Sequence, residues 1–268
     1  MQKPVAVTGA TGFVGGHLLA SLRATGRPVR VLVRDPAKFD NIDTNTEVVT
    51  GDLDDRAALA RLVAGCGAVI HCAGAIAALD RQGFLAVNQT GAANVAKAAV
   101  EAGVKRFVLV SSLAAREAHL SDYAASKKAG EEMVKDIVAA ENLAIVRPPA
   151  VYGPGDRATL PLIKALTGWR AILPGRKDQR ISLIFVKDLA AALVRLADSE
   201  QAGGPFEIDD GRARGYSFKD ITQLAGEAQG RKIGLTLLPR TLVALAGFGA
   251  GMVSKLTGKV FILSPAKV

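Results

Sequence analysis

The feature that most limits what this chain can fold into is an alternation. VAVTG, PVRVLVRD, EVVTGD, GAVIHCAG, RFVLVSS and NLAIVRPP are short, β-branched runs with few charges inside them. Between them, FVGGHLLASLRATG, DDRAALARLVAGC, AVNQTGAANVAKAAVEAG and YAASKKAGEEMVKDIVAAE carry apolar residues at helical spacing. Strands this apolar, separated by helices, imply a parallel sheet covered on both faces. Right-handed crossovers then bring every strand's C-terminal end to one edge, which is where a ligand belongs.

The first crossover carries the sharpest local signal. AVTGATGFVGGHLLASL sets Gly9, Gly12 and Gly15 at a spacing of three, between a strand and a helix. The apolar face of that helix is Phe13, Val14, Leu18, Leu19 and Leu22, and Gly26 stops it. Glycines in such a turn let the backbone approach a pyrophosphate closely, and the helix N-terminus offers free N–H groups and a positive dipole end. A glycine turn also serves plain strand–helix packing; the run of strand–helix units behind this one favours the phosphate reading. The expected fold class is α/β, a Rossmann-type doubly wound parallel sheet with a small C-terminal substrate lobe.

After residue 152 the texture changes. YGPGD, LPG and DDGRARG are turn-rich and break the alternation. A nucleotide-binding domain is expected over 1–152 and 184–210, with LIFVKDLAAALVRLADSE and GPFEIDDG returning to it as a helix and a strand. The smaller lobe is expected over 153–183 and 211–268. Residues 241–254, TLVALAGFGAGMVS, are uncharged, but a helix crossing a bilayer needs about 20 apolar residues. They read as a helix packed over the lobe or as a wall of an apolar substrate cavity, so stable membrane insertion is not expected.

Composition narrows the partners. The net charge of +9 points to an anionic partner, yet no Lys/Arg run exceeds two residues and aromatics make up only 5%. That argues against nucleic acid and for a phosphate-rich cofactor with a small-molecule substrate. Cys66 and Cys72 have neither metal nor redox spacing, and the three histidines are scattered, so no metal is expected. The scarcity of cysteine, and a chain that enters its first strand almost at once, lead us to expect a cytoplasmic protein. A homodimer is left open.

SDYAASKKAGEE places Tyr123 and Lys127 four apart at a helix start, on one face, after a strand ending in two serines. A phenol with its ordinary pKa of about 10 is a poor acid–base catalyst at neutral pH. A lysine cation about 4 Å away is expected to lower that value toward 7. Tyr123 could then exchange a proton with a substrate hydroxyl or carbonyl, with a serine hydroxyl holding the same oxygen.

Taken in order, TGATGFVG, GD at 51–52, HCAG, an Asn in the following helix, VSS, YAASK and RPPAVYG resemble the short-chain dehydrogenase/reductase superfamily. The likeness is to its extended or atypical branch, which holds sugar-nucleotide epimerases, dihydroflavonol reductases and 3β-hydroxysteroid dehydrogenases, and it covers about residues 4–210. The resemblance implies that Gly9, Gly12 and Gly15 form the pyrophosphate loop, with backbone contacts from Thr11, Phe13 and Val14. It implies Asp52 and Leu53 beside the adenine, Ala73 and Gly74 along the central ribose, and Asn88 holding the active-site strand. Tyr123 and Lys127 become the proton-transfer pair, and Ser112, rather than Ser111, the donor to the substrate oxygen. Pro148 and Val151 bound the nicotinamide face. Two departures stand out: only ten residues separate Ser112 from Tyr123, and IFVKDLA keeps Asp188 without the usual histidine.

The second strand bears on the dinucleotide. An acid at its end would bind a ribose 2′-OH, whereas VLVRDPAKF offers Arg34 before Asp35, with Lys38 a turn later. A guanidinium pairs with a 2′-phosphate and stacks on adenine, so NADP is expected, with NAD as the alternative. The leading function is an NADP(H)-dependent oxidoreductase interconverting a carbonyl and an alcohol. The alternatives are an epimerase or dehydratase that retains its dinucleotide, and a non-catalytic NADP-binding sensor or complex subunit.

Overall fold

The computed structural model describes residues 2–39, 43–199 and 203–238, with only the backbone of Lys38. The uncharged stretch 241–254 lies outside the described residues. Two compact units emerge, Met1–Pro148 with Val186–Ile208, and Pro149–Phe185 with the segment from Asp209 onward.

The first unit opens with β1 (Val5–Thr8), α1 (Phe13–Ala24), β2 (Val29–Val33), β3 (Thr46–Thr50), α2 (Arg56–Val63) and β4 (Ala68–His71). It continues through α3 (Arg81–Leu85), a π-helical turn (Ala86–Gly91), α4 (Ala92–Glu101), β5 (Arg106–Val110), a 3₁₀ segment (Leu113–Leu120), α5 (Asp122–Ile137) and β6 (Leu143–Arg147). In the second unit lie β7 (Ala150–Tyr152), α6 (Leu160–Ala165), β8 (Arg170–Pro174), β9 (Arg180–Ile181) and β10 (Leu183–Phe185). The chain then returns to the first unit as α7 (Val186–Asp198) and β11 (Gly203–Glu207), and ends in the second with β12 (Tyr216–Ser217), α8 (Phe218–Ala228) and β13 (Gly234–Leu238).

Seven parallel strands in the order β11-β6-β5-β4-β1-β2-β3 form the central sheet of the first unit. This is the doubly wound α/β class. Strands β1, β4, β5 and β6 are buried along their whole length, because helices cover both faces. On one face Leu59, Leu62, Val95, Ala96, Val134 and Ile145 belong to a single apolar core. Helix α1 buries Gly15, Leu18, Leu19 and Leu22, and Gly26 at φ +68° ends it. The order reverses between β1 and β4, so the crevice of this fold opens there, at the strands' C-terminal ends.

Three two-stranded pairings, β7–β10, β8–β13 and β9–β12, build the second unit around Leu166, Ala171, Leu173, Phe218 and Ile221. The division falls after Pro148 rather than at 152, because Ala150–Tyr152 pair with Leu183–Phe185 instead of joining the large sheet. Among the described residues no helix is long and apolar enough to cross a membrane.

Candidate active site

The turn between β1 and α1 is shaped by what its glycines lack. A Cβ on Gly9, which sits at φ +74°, would lie 2.6 Å from the Ala73 nitrogen, and one on Gly15 would lie 2.1 Å from the Gly9 carbonyl oxygen. Gly12 caps α1 without a side-chain hydrogen bond, and no acid occupies the first turn. The helix therefore presents uncapped N–H groups and a positive dipole end, the environment an anion needs.

A cleft of about 620 Å³ opens beside this turn, lined by Thr8, Gly9, Thr11 and Gly12, by Arg34 after β2, by Asp52 and Leu53 after β3, and by Cys72, Ala73 and Gly74 after β4. Its volume suits a small-molecule site. Eight of the sequence-predicted binding residues thus share one cavity. Phe13, Val14 and Gly15 lie in the first turn of α1, where Phe13 packs edge-on against His17. Asp35 is not among the lining residues; its carboxylate accepts from the Ala37 N–H and caps the short turn Pro36–Lys38. The side chain of Lys38 lies outside the described residues. Asp52 accepts from the Asp54 and Asp55 N–H groups and so shapes the entry to α2.

Asn88 works from behind the cleft. Its Oδ1 accepts from the Ala75 N–H, and its Nδ2 donates to the Ala75 carbonyl and the Ser126 hydroxyl. The π-helical turn sets this amide between the β4 exit and α5. Gly130 permits the close approach, since a Cβ there would lie 2.1 Å from the Asn88 carbonyl oxygen.

Tyr123 and Lys127 sit on α5, whose N-terminus Ser121 caps through the Ala124 N–H. Tyr123 is hydrogen-bonded to Ser112 and packs against Phe84 at 6.1 Å. Ser112 also caps the 3₁₀ segment through the Ala114 N–H. Lys127 is buried and donates to the Val110 carbonyl at 2.8 Å. A Cβ on Gly74, which lines the cleft, would stand 3.5 Å from its ammonium. Pro148 ends the strand segment through its carbonyl, which accepts from the Leu113 N–H. Val151 belongs to β7 in the second unit.

One expectation is overturned. The Tyr123 pKa is raised by burial, with the Ser112 hydrogen bond pulling the other way, and Lys127 does not bring it toward neutrality. The lysine itself is brought down to about 8 by burial, against the pull of Cys72 and Glu131. Desolvation of the phenolate sets the direction, while the Lys127 ammonium donates to the Val110 carbonyl. In this structure Tyr123 is a protonated phenol throughout the neutral range.

Three features escaped sequence reasoning. Ser111 donates to the fully buried Glu131 at 2.5 Å, and Arg147 clamps the same carboxylate at 2.8 and 2.6 Å. The spacing Tyr123–Lys127–Glu131, i, i+4, i+8 on a helix, was the available signal. His71, at the end of β4, bonds Thr8 at 2.8 Å, and burial holds its pKa down at about 3. The π-helical turn has no sequence signature that we recognise. Among the described residues no cluster of three or more potential metal ligands occurs.

The family model of the NAD-dependent epimerase/dehydratase family matches residues 5–208. The chain belongs to that family. It is 45% identical over 267 residues to a ceramide reductase of Caulobacter vibrioides, covering 98% of this chain and 83% of that protein. It is 27% identical to a 3β-hydroxysteroid dehydrogenase/Δ5→4-isomerase of Mycobacterium tuberculosis, covering 80% and 63% respectively. Among solved structures, the Bordetella bronchiseptica enzyme WbmH, in complex with NAD+, superposes with a TM-score of 0.74 at 23% identity, covering 89% of this chain and 86% of WbmH. That likeness concerns the fold. The protein is thus an enzyme of the short-chain dehydrogenase/reductase type, in an NAD-dependent family with reductase and dehydrogenase relatives.

Proposed function

We propose that this enzyme reduces a ketone on a ceramide-type lipid to the secondary alcohol, with NADPH as the dinucleotide. The observation that carries the reading is the Ser112–Tyr123 hydrogen bond beside the buried Lys127, next to a cleft with an uncapped helix N-terminus. When bound, the reduced nicotinamide supplies hydride to the carbonyl carbon. The turn at Gly9, Gly12 and Gly15 would hold its pyrophosphate, and Ala73 and Gly74 would run along its ribose.

Tyr123 donates the proton to the carbonyl oxygen as negative charge develops there. A phenol kept protonated by burial suits that direction, since reduction needs an acid rather than a phenolate. Ser112 donates a hydrogen bond to the same oxygen and lowers the cost of its charge. The Lys127 ammonium favours the phenolate that Tyr123 becomes once its proton is gone.

Two observations favour NADPH. Arg34 is exposed and lines the cleft, where its guanidinium can meet a 2′-phosphate, and Asp35 is engaged in capping its own turn. The lipid substrate rests on the 45% identity to the ceramide reductase. Ceramide carries a secondary alcohol on its sphingoid base, so hydride chemistry that forms it starts from the corresponding ketone. The test is NADPH oxidation by the purified protein with a short-acyl keto-ceramide, the product identified by mass spectrometry. Formation of the ceramide is expected. No consumption with this ketone, alongside conversion of a UDP-sugar to its epimer, would replace the reading with the epimerase one.

A further inference from the structure

Helix α5 turns a charged residue into the sheet where an apolar one would pack more cheaply. Glu131 is fully buried, one turn beyond Lys127 and two beyond Tyr123 on the same helix. Its two carboxylate oxygens accept three hydrogen bonds, from Ser111 at the exit of β5 and twice from Arg147 at the end of β6. Arg147 reaches on to Glu207 of β11 at 3.4 Å, and Arg116 meets the other oxygen of Glu207 at 3.3 Å. One carboxylate thereby ties α5 to the ends of two neighbouring strands. Those strand ends carry the Val110 carbonyl and lead directly to Ser112 and Pro148.

We propose that Glu131 is a positioning residue of the proton-transfer site: it fixes the β5 and β6 exits against α5 and supplies the negative charge that keeps the neighbouring Lys127 protonated inside the protein. The proposal rests on the proton-transfer roles given to Tyr123 and Lys127 above. The charges around the ammonium are few. From β4 come His71, neutral at working pH, and the Cys72 thiol, which burial raises to about 12. From α5 come Tyr123 and Glu131, and Lys128 acts on Glu131 from the exposed side. From β6 comes Arg147, already committed to Glu131 and Glu207. Among the described residues, Glu131 is therefore the one ionised acid acting on Lys127. Its own pKa is lowered despite burial, because Arg147 and Ser111 bond its charged form. A buried ion pair is a poor source of stability compared with apolar residues of the same size, so its presence at this edge points to positioning.

The test follows turnover of keto-ceramide by the NADPH-loaded enzyme from about pH 6 to 10, where the alkaline limb reports loss of the Lys127 proton. Competitive acetylation of Lys127 in the dinucleotide-free protein, read by mass spectrometry, follows the same titration without turnover. Glu131→Gln is expected to move both downward by about one pH unit, and to lower kcat about tenfold at pH 8 and much less at pH 6.5. The double variant Glu131→Met with Arg147→Met preserves packed volume and is expected to shift both in the same direction, so a folding failure of the single variant does not decide the matter. Titrations unmoved in a folded variant, with kcat lowered equally at every pH, would overturn the proposal. Lys127→Met separates the two readings: if it keeps wild-type turnover, the proton-transfer assignment itself is wrong; if it loses turnover while the Glu131 variants titrate like wild type, only the role of Glu131 falls.

Discussion

Two ends of the same sheet edge do their work by opposite means. At the β1–β2 side, the cleft is built from backbone and missing side chains, and its charged residues, Arg34, Asp52 and Asp54, are exposed. At the β4–β5–β6 side, the polar groups are buried: His71, Ser111, Lys127, Glu131 and Arg147 are all nearly inaccessible. On the proposed reading the first side would meet a ligand with dipoles and solvated charges, which salt screens. On the second, protonation is governed by desolvation, which moves His71 to about 3 and Lys127 to about 8. The difference separates two questions, which dinucleotide arrives and what proton chemistry follows, and assigns each to its own residues.

The largest effect expected from breaking the first side comes from adding one methyl group. Gly15→Ala puts a Cβ 2.1 Å from a backbone oxygen that has no room to retreat, whereas the adjacent Gly16 has nothing within 4 Å. Gly15→Ala should destabilise the protein by about 3 kcal/mol and abolish measurable dinucleotide binding. Gly16→Ala should be neutral or stabilising by about 0.5–1 kcal/mol, because alanine is the better helix former. Urea denaturation of the pair checks this, and equal losses would mean that close approach is not what the turn requires.

A smaller effect sharpens the cofactor question. If NADPH is the dinucleotide, Arg34→Ala would remove a charge-assisted bond of about 1.5–3 kcal/mol to its 2′-phosphate, roughly ten- to hundredfold in affinity. NADPH binding should weaken by that factor and NADH binding stay almost unchanged, as read by calorimetry. Equal losses would show that Arg34 only stacks on the adenine, and a wild-type preference for NADH would return the role to Asp35.

The smallest expected effect is a pH limb on the buried side. Lys127 acts as a cation, so turnover should be full below about pH 8 and fall as pH rises through that value. His71, whose pKa stands at about 3, contributes no limb near pH 6.5. An acidic limb at that pH, lost in His71→Asn, would mean that this histidine is not held neutral.

The two sides were also unequally legible in the sequence. The turn at Gly9, Gly12 and Gly15 could be read because close backbone approach needs glycine at fixed spacing, and the strands because burial on both faces leaves few charges. A serine near Tyr123 could be read from a strand end and a helix start placed on one edge, and the family resemblance pointed to Ser112 rather than Ser111. The direction of the Tyr123 shift could not be read, because it depends on how deeply packing buries the phenol. The Glu131–Arg147 pair joins residues 16 apart in sequence across a helix–strand crossover, a juxtaposition that only packing creates. The end of the first unit at Pro148 likewise depends on Ala150–Tyr152 choosing Leu183–Phe185 as partner.

The division of labour is tested most directly by measuring NADPH affinity and keto-ceramide turnover side by side in Tyr123→Phe. Phenylalanine keeps the ring against Phe84 and removes only the oxygen that gives up the proton. Loss of general acid catalysis of this kind costs about 10²–10⁴ in rate, so turnover should fall by that factor while the NADPH Kd stays within a few-fold of wild type. Near-normal turnover in the variant, or a loss of NADPH binding as large as the loss of rate, would contradict the account.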